Sequence, residues 1–412
     1  MDVRQFLDSS YTAYHTTANV VSMLQQADFK RLTMGDKWSL KRGGKYFVTR
    51  NGSSLIAFVI GQNNVINLAL SHTDSTSFKV KGDKLIAGNN LRLNTEQYGG
   101  GLVYSFFDRQ LKVAGRLLVE RAKGVEQQLV TSSYNVVIPS LAIHHNPTAN
   151  DSLSLNAQCD TLPLFGQGSG DLYKSLTADK VLDADLFVVP AEPSFVSGAR
   201  GEYLCSARID NLTSVFASVQ AIASAAPQDI AVIACLDNEE VGSGTRQGAP
   251  SFVSQVLDAV CDGLGLTAQD KLAAIENGFA LSVDNGHALH PAHAEKSDPV
   301  NACHMGGGVV IKHHVNYATD GLTSALFKRL MDNASVAYQD YYNRSDVRCG
   351  TTLGLATARQ LGIKVCDVGI AQLAMHSACE TCALGDVTTM EHALSAFFAA
   401  KFSHQNNLFE LK

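Results

Sequence analysis

From Phe6 to Leu32 apolar residues, including Val20, Val21, Met23 and Leu24, fall at helical spacing, which predicts one or two amphipathic helices. The texture changes at Gly44 to short apolar runs, Ser54–Gly61 and Val65–Leu70, bounded by Gly, Asn or Ser and predicted to be strands. Between Lys84 and Gly201 turn clusters such as GNN, YGGG, PTAND and GQGSGD break the chain into strands and turns. From Asp210 a different rhythm sets in. A helix over Asn211–Ala225 leads to a strand at Ile230–Leu236, and a second uninterrupted apolar strand is predicted at Ala280–Asp284. Helices over Gly321–Asn333 and Thr351–Leu361, a strand at Lys364–Val368 and a long helix over Val387–Phe402 complete the pattern.

Strands without polar alternation, separated by helices, predict an α/β fold: a mixed, mainly parallel sheet sandwiched by helices. The strand-and-turn region reads as an inserted β-rich domain. The expected division is 1–84 and 202–412 for the α/β domain, with 85–201 as the insertion, to which the family resemblance given below assigns oligomerisation. In such sheets functional groups gather at the carboxyl ends of strands.

Composition narrows the function. The chain has 412 residues, of which 45% are hydrophobic, so a filled interior and two domains are expected. With 33 basic against 39 acidic residues the net charge is −6, which excludes nucleic acid as the main partner. The opening MDVRQFLDSS lacks a signal-peptide signature, and no apolar run approaches the roughly 18–20 residues of a membrane span. Nine cysteines without framework spacing complete the expectation of a cytoplasmic protein with reduced thiols and no membrane partner.

Five polar clusters stand at the ends of apolar strands or the starts of helices. They are SHTDS at Ser71–Ser75, RIDN at Arg208–Asn211, DNEEVGSG at Asp237–Gly244, SVDNGH at Ser282–His287 and MHS at Met375–Ser377. Histidine nitrogen plus carboxylate oxygen suits Zn²⁺ and neighbouring divalent metals. A bridging carboxylate with flanking ligands would hold two ions about 3.5–4 Å apart, a geometry used for hydrolysis. Residues two apart on a strand share a face, so Asp74 is expected beside the imidazole of His72, where it would fix the tautomer. Adjacent Glu239 and Glu240 diverge, so one can grip a metal while the other acts as general base.

Each residue also has an ordinary reading. Asp210 could be a helix cap, Asp284 a turn residue, His144 and His145 loop residues, and Lys312 a solvated lysine. Cys379 and Cys382 form a lone C-x-x-C pair, better read as small buried residues than as a redox or zinc motif. GSGTRQG follows acids and contains no G-x-G-x-x-G, which argues against nucleotide binding. The five clusters in order are hard to explain by these readings.

Together with FLDSSYTAYHTTANVVSMLQQADFKRL, EQYGGGLVYSFFDRQLKVAGRLL, IPSLAIH, RIDNLTSVFASVQA, DNEEVGSGTRQGA, CGTTLG and DVGIAQLAMHS, the clusters resemble the aspartyl aminopeptidase and vacuolar aminopeptidase I family of di-metal aminopeptidases. The resemblance runs through most of the chain. It implies the phosphorylase/hydrolase-like fold, with one metal on His72, Asp210 and Asp284 and a second on Asp210, Glu240 and His376. Glu239 would be the general base, and a cis peptide would follow Asp210. Two Zn²⁺ ions per subunit are expected, with Co²⁺ or Mn²⁺ as alternatives. The histidines His287, His290 and His293 would shape a loop and subunit contacts rather than hold metal.

The resemblance further implies that His144 enters a neighbouring subunit's active site, that Lys312 and Tyr317 bind substrate, and that the protein forms a homo-oligomer, a tetrahedral dodecamer. The implied activity is release of amino-terminal Asp or Glu from peptides. Two departures bear on that preference: only four residues separate Lys312 from Tyr317, and SVDNGH differs from the commoner form with Met after the ligand Asp. The alternatives are a neutral, Leu-type aminopeptidase, a di-metal N-acyl amino acid deacylase, and an inactive scaffold. The last should have lost a ligand, and none is missing.

Overall fold

The computed structural model describes residues 1–405 and 408–411. A nine-stranded sheet crosses the molecule in the order Lys30–Arg31, Lys45–Arg50, Ser54–Ile60, Ile230–Leu236, Ile66–His72, Phe279–Val283, Lys364–Gly369, Val309–His313 and Tyr338–Tyr342. Its four adjacent strands from Ile230–Leu236 to Lys364–Gly369 are mutually parallel. Leu236 lies opposite His72 and Ser282 opposite Leu70, so Asp237, His72 and Asp284 leave the sheet at one edge. That register brings three of the five polar clusters together.

Alternation along each strand serves two cores. In Ile230–Leu236, the side chains of Ala231, Ile233 and Cys235 enter one, and those of Ile230, Val232, Ala234 and Leu236 the other. Both faces are buried, which is why the sequence shows a continuous apolar run there. The helices Ala13–Gln26, Ile209–Ser224, Gly321–Ala334 and Leu384–Ala399 cover the first face. Ser251–Gly263, Ala268–Glu276 and Leu353–Leu361 cover the second. Ile209–Ser224 is buried without a break from Ile209 to Val219, because it lies beneath other helices as well as on the sheet.

Two further five-stranded sheets complete the frame. One, Thr95–Tyr98, Ser77–Val80, Val181–Pro190, Leu111–Arg121 and Gly124–Thr131, is antiparallel throughout and has its own core around Phe78, Phe106, Leu117 and Val188. It takes in Ser77–Val80, upstream of residue 85, where the insertion is expected to begin. The other joins Phe195–Ser197, Tyr203–Ser206, Glu380–Ala383, Ala371–Leu373 and Gly286–His287, with Ser206 opposite Glu380. It ties the approach to Asp210 to the segment that follows His376.

The early apolar segment forms two helices, Val3–Ser9 and Ala13–Gln26. The last long helix starts at Leu384, earlier than its periodicity indicates, and Phe402 belongs instead to a strand paired with Leu408–Leu411. All nine cysteines are unpaired. Among the described residues no helix is long and apolar enough to cross a membrane.

Phe279 is fully buried, with its ring centroid 6.0 Å from that of Phe397 and 5.1 Å from that of Phe402. Phe279→Ala should cost about 3–5 kcal/mol of stability. A urea-denaturation midpoint close to wild type would show that this core collapses around the lost ring.

Candidate metal centre

His72 ends the strand Ile66–His72 and is buried. Its Nδ1 is 3.0 Å from the Asp74 carbonyl oxygen, which can only accept, so Nδ1 carries the hydrogen in the neutral ring. Nε2 then presents a lone pair to Asp210 Oδ1 at 3.3 Å and Asp284 Oδ1 at 3.7 Å. His376 repeats the arrangement. Its Nδ1 lies 3.0 Å from the Gly100 carbonyl oxygen, and its Nε2 lies 3.3 Å from Asp210 Oδ2 and 3.4 Å from Glu240 Oε2. Asp210 thus turns one carboxylate oxygen to each imidazole.

The backbone around Asp210 is held from several sides. Asn285 Nδ2 donates to the Ile209 carbonyl at 3.0 Å, Asn211 Nδ2 to the Val283 carbonyl at 2.8 Å, and Ser75 Oγ to the Asp210 carbonyl at 2.9 Å. The Asp210–Asn211 peptide is cis. Glu239 and Glu240 stand on a single turn, Glu239–Val241, whose backbone N–H groups at both glutamates donate to Asp74 carboxylate oxygens at 3.1 Å each. Tyr98 donates its hydroxyl to Asp74 Oδ2 at 2.8 Å.

Asp210 Oδ1 and Glu240 Oε1 are buried and receive no hydrogen bond. Lone pairs face lone pairs across the cluster, and such an arrangement is costly unless a proton or cation lies between them. The side chains respond in just this sense. Burial would lower His72, yet Asp210, Asp284 and Asp74 raise it well above the usual imidazole range. Burial opposes the same shift at His376, where Asp210 and Glu240 carry it up to about 10. Burial pushes Glu239 up to about 8 and Glu240 well above the ordinary carboxylate range. Asp210, despite its burial, is held low by the two imidazoles.

Two ligand sets emerge, His72–Asp210–Asp284 and Asp210–Glu240–His376, with ligand atoms in each set within 4.8 Å of one another. Nitrogen and carboxylate donors with unsatisfied buried oxygens fit divalent cations such as Zn²⁺.

The comparisons agree with that chemistry. Residues 6–398 match the family model described as aminopeptidase I zinc metalloprotease (M18). The chain belongs to this family. It is an M18 metallo-aminopeptidase, a hydrolase. It is 36% identical to the probable M18 family aminopeptidase 2 of Pseudomonas savastanoi pv. phaseolicola, over 96% of both chains. Its counterpart in Clostridium acetobutylicum is 34% identical over 95% of this chain and 96% of that one. Among solved structures, that of the Ape4 and Nbr1 complex matches with TM-score 0.90 and 31% identity, over 96% of this chain and 84% of that chain. The yeast mApe1 dodecamer matches at TM-score 0.82 and 24% identity, over 96% and 95%, a likeness of fold.

The M18 chain gathers His72, Asp210, Glu239, Glu240, Asp284 and His376 in one place, while other predicted residues sit differently. Asp74 meets the His72 ring mainly through its carbonyl oxygen, with its carboxylate 3.6 Å from Nδ1 and occupied by the Glu239–Glu240 turn. The reason is that the strand ends at His72, so the alternation that would put both side chains on one face stops there. Lys312 is buried, donates to the Asn285 carbonyl at 3.2 Å and lies 3.6 Å from Asp284 Oδ2. Tyr317 stands with its ring centroid 5.1 Å from the Lys312 ammonium. His144 is exposed on the turn Ile143–His145, and no hydrogen bond or ion pair among the described residues joins it to the centre. Sequence reasoning missed Tyr98, the Gly100 carbonyl and Glu380. The last accepts backbone N–H groups from both Asp210 and His376.

These shifts carry a sign for stability. Glu239, Glu240, His72 and His376 all bind protons more tightly folded than unfolded, so the folded chain holds more protons and loses stability as pH rises. For Glu239 the window runs from its ordinary value of 4.5 to about 8, and for His376 from 6.5 to about 10. In excess chelator the melting temperature should fall steadily from pH 6 to pH 9. Added Zn²⁺ should flatten that slope, since bound metal requires the deprotonated ligands. A melting temperature that rises with pH in chelator would contradict the electrostatics.

Proposed function

We propose that the protein is a di-metal aminopeptidase in which Asp210 would be shared by two divalent ions, Zn²⁺ in the first place and Co²⁺ or Mn²⁺ as substitutes. His72 and Asp284 complete one site, Glu240 and His376 the other. The observation that carries this reading is the division of the two Asp210 carboxylate oxygens between two imidazole nitrogens. When bound, two such ions lower the pKa of a water and polarise the substrate carbonyl. The protein's own residues do the rest. Glu239, on the same turn as Glu240 but pointing elsewhere, takes the proton of the attacking water and returns it to the departing amine. The clustered carboxylates give the substrate's free α-amine an anionic contact.

Peptides with amino-terminal Asp or Glu are the proposed substrates. Support comes from the ammonium of Lys312 beside Asp284, a point charge suited to a carboxylate. A specific observation favours a second reading, preference for neutral residues: Lys312 is already engaged by Asp284 and the Asn285 carbonyl. The exposed His144, with Leu141 and Ile143 exposed beside it, suits a place in a neighbouring subunit's site within a homo-oligomer of the dodecameric kind described for yeast mApe1. The segment 85–201 would build those contacts as an insertion between 1–84 and 202–412, and the assembly would work in the cytoplasm.

Turnover of Asp-, Glu-, Leu- and Lys-p-nitroanilide, with and without chelation and Zn²⁺ add-back, tests the reading. Cleavage of Asp and Glu substrates that disappears on chelation and returns with metal is expected. Metal-dependent cleavage of Leu instead would establish the neutral preference, and activity on N-acetyl amino acids alone would make the protein a deacylase. Glu239→Gln should keep its metal, measured by plasma emission, while kcat drops by about 10²–10⁴-fold. Wild-type turnover in that variant would remove Glu239 from the mechanism. Lys312→Leu should lower kcat/KM for Asp and Glu substrates selectively. An equal fall on every substrate would assign Lys312 to the support of Asp284.

A further inference from the structure

Glu380 is 2% exposed and opens the strand Glu380–Ala383, opposite Ser206. Its carboxylate has no ion pair with Lys, Arg or His among the described residues. It accepts instead from two backbone amides: Oε2 from Asp210 N–H at 2.9 Å and Oε1 from His376 N–H at 2.6 Å. Neither amide is satisfied by regular structure. Asp210 departs from helical geometry at φ −81° and ψ 109°, and His376 sits at φ 67°. One buried side chain therefore closes the backbone accounting at two positions 166 residues apart in sequence, taken as 376 less 210.

Those positions carry the proposed bridging ligand and the imidazole of the second site, Asp210 Oδ2 and His376 Nε2 lying 3.3 Å apart. The far side of the His376 ring is fixed by the Gly100 carbonyl. Glu380 and Gly100 thus hold His376 by its backbone and by its ring, and among the described residues Glu380 is the single side chain that hydrogen-bonds both the Asp210 and the His376 backbone. We propose that Glu380 is a positioning residue: by clasping both backbones it sets the separation of the bridging carboxylate from the second imidazole, and so the affinity of the Asp210–Glu240–His376 site. This rests on the di-metal reading above. His72 and Asp284, the ligands that the first site does not share with the second, have no contact with Glu380, so that site should be disturbed least.

The chemistry of the clasp separates it from mere packing. Two N–H donors require two acceptors, which a carboxylate supplies. A carboxamide of the same size supplies one, and sets its own NH₂ against the other donor. Glu380→Gln therefore preserves volume and removes the match. Chelated wild type and variant would be titrated with Zn²⁺ by calorimetry, with a competing chromophoric chelator for the tighter ion. Two ions per chain are expected in the wild type. In Glu380→Gln the first should bind as before, and the second about 10–100-fold more weakly, the usual cost of losing a partner behind a ligand. Peptidase activity of the variant should recover as free Zn²⁺ is raised, with kcat restored.

Unchanged affinity for the second ion would overturn the inference, and so would equal weakening of both ions accompanied by a general drop in melting temperature. A wild-type chain that takes up a single ion would instead sink the di-metal reading, and this inference with it. Should Glu380→Gln not fold, Glu380→Asp carries the same test. It keeps both acceptors on a shorter stem, so weakening confined to the second ion is expected, and weakening shared by both ions would overturn the proposal.

Discussion

A carboxylate caught between two imidazole nitrogens that have nothing to donate is the constraint around which the molecule is arranged. Asp210 is buried, one of its oxygens receives no hydrogen bond, and its neighbours Glu240 and Asp284 add negative charge rather than relieve it. Isolated buried charges are expensive, and a cluster of like charges is more so. Such a site persists only if the surrounding fold fixes every member and a cation compensates them.

The fixing is done largely by backbone. Carbonyl oxygens at Asp74 and Gly100 set the tautomers of the two imidazoles. Carboxylates at Asp74 and Glu380 gather amides from the ligand-bearing turns. Acids that do not face a metal thus spend their charge on N–H groups, and acids that do face one are left short of donors. Partition of roles among six neighbouring acids is set by which of them meets an amide.

What the sequence discloses, and what it hides, follows from the same distinction. Strands buried on both faces, such as Ile230–Leu236, announce themselves as apolar runs. The edge strand Tyr338–Tyr342, half-buried and polar in composition, and its neighbour Val309–His313 were not marked by any such pattern. Ligand-bearing clusters are legible because metal chemistry restricts residue type and because they sit where strands end. Glu380 stands only four residues beyond His376, yet its partners are main-chain amides, which look the same in every residue. Asp74 does lie beside the His72 ring, its carboxylate 3.6 Å from Nδ1, but the nearer contact is its main-chain carbonyl, because the strand that sets the two-residue period has already stopped. The strand Ser77–Val80 pairs on one side with Thr95–Tyr98 and on the other, at Phe78 and Lys79, with Val181–Pro190, whose distance along the chain leaves no local mark.

The proposed ligands come from five separate stretches of chain, at residues 72, 210, 240, 284 and 376, each delivered by its own strand end, turn or helix start. No contiguous fragment holds a complete pair of sites. Closing loops of that length is slow and is rewarded only once the parallel strands are in register. With the proposed ligand set, metal uptake would wait on that assembly. A nascent chain that has not yet reached His376 would lack a member of the second proposed set, and with it the complete centre.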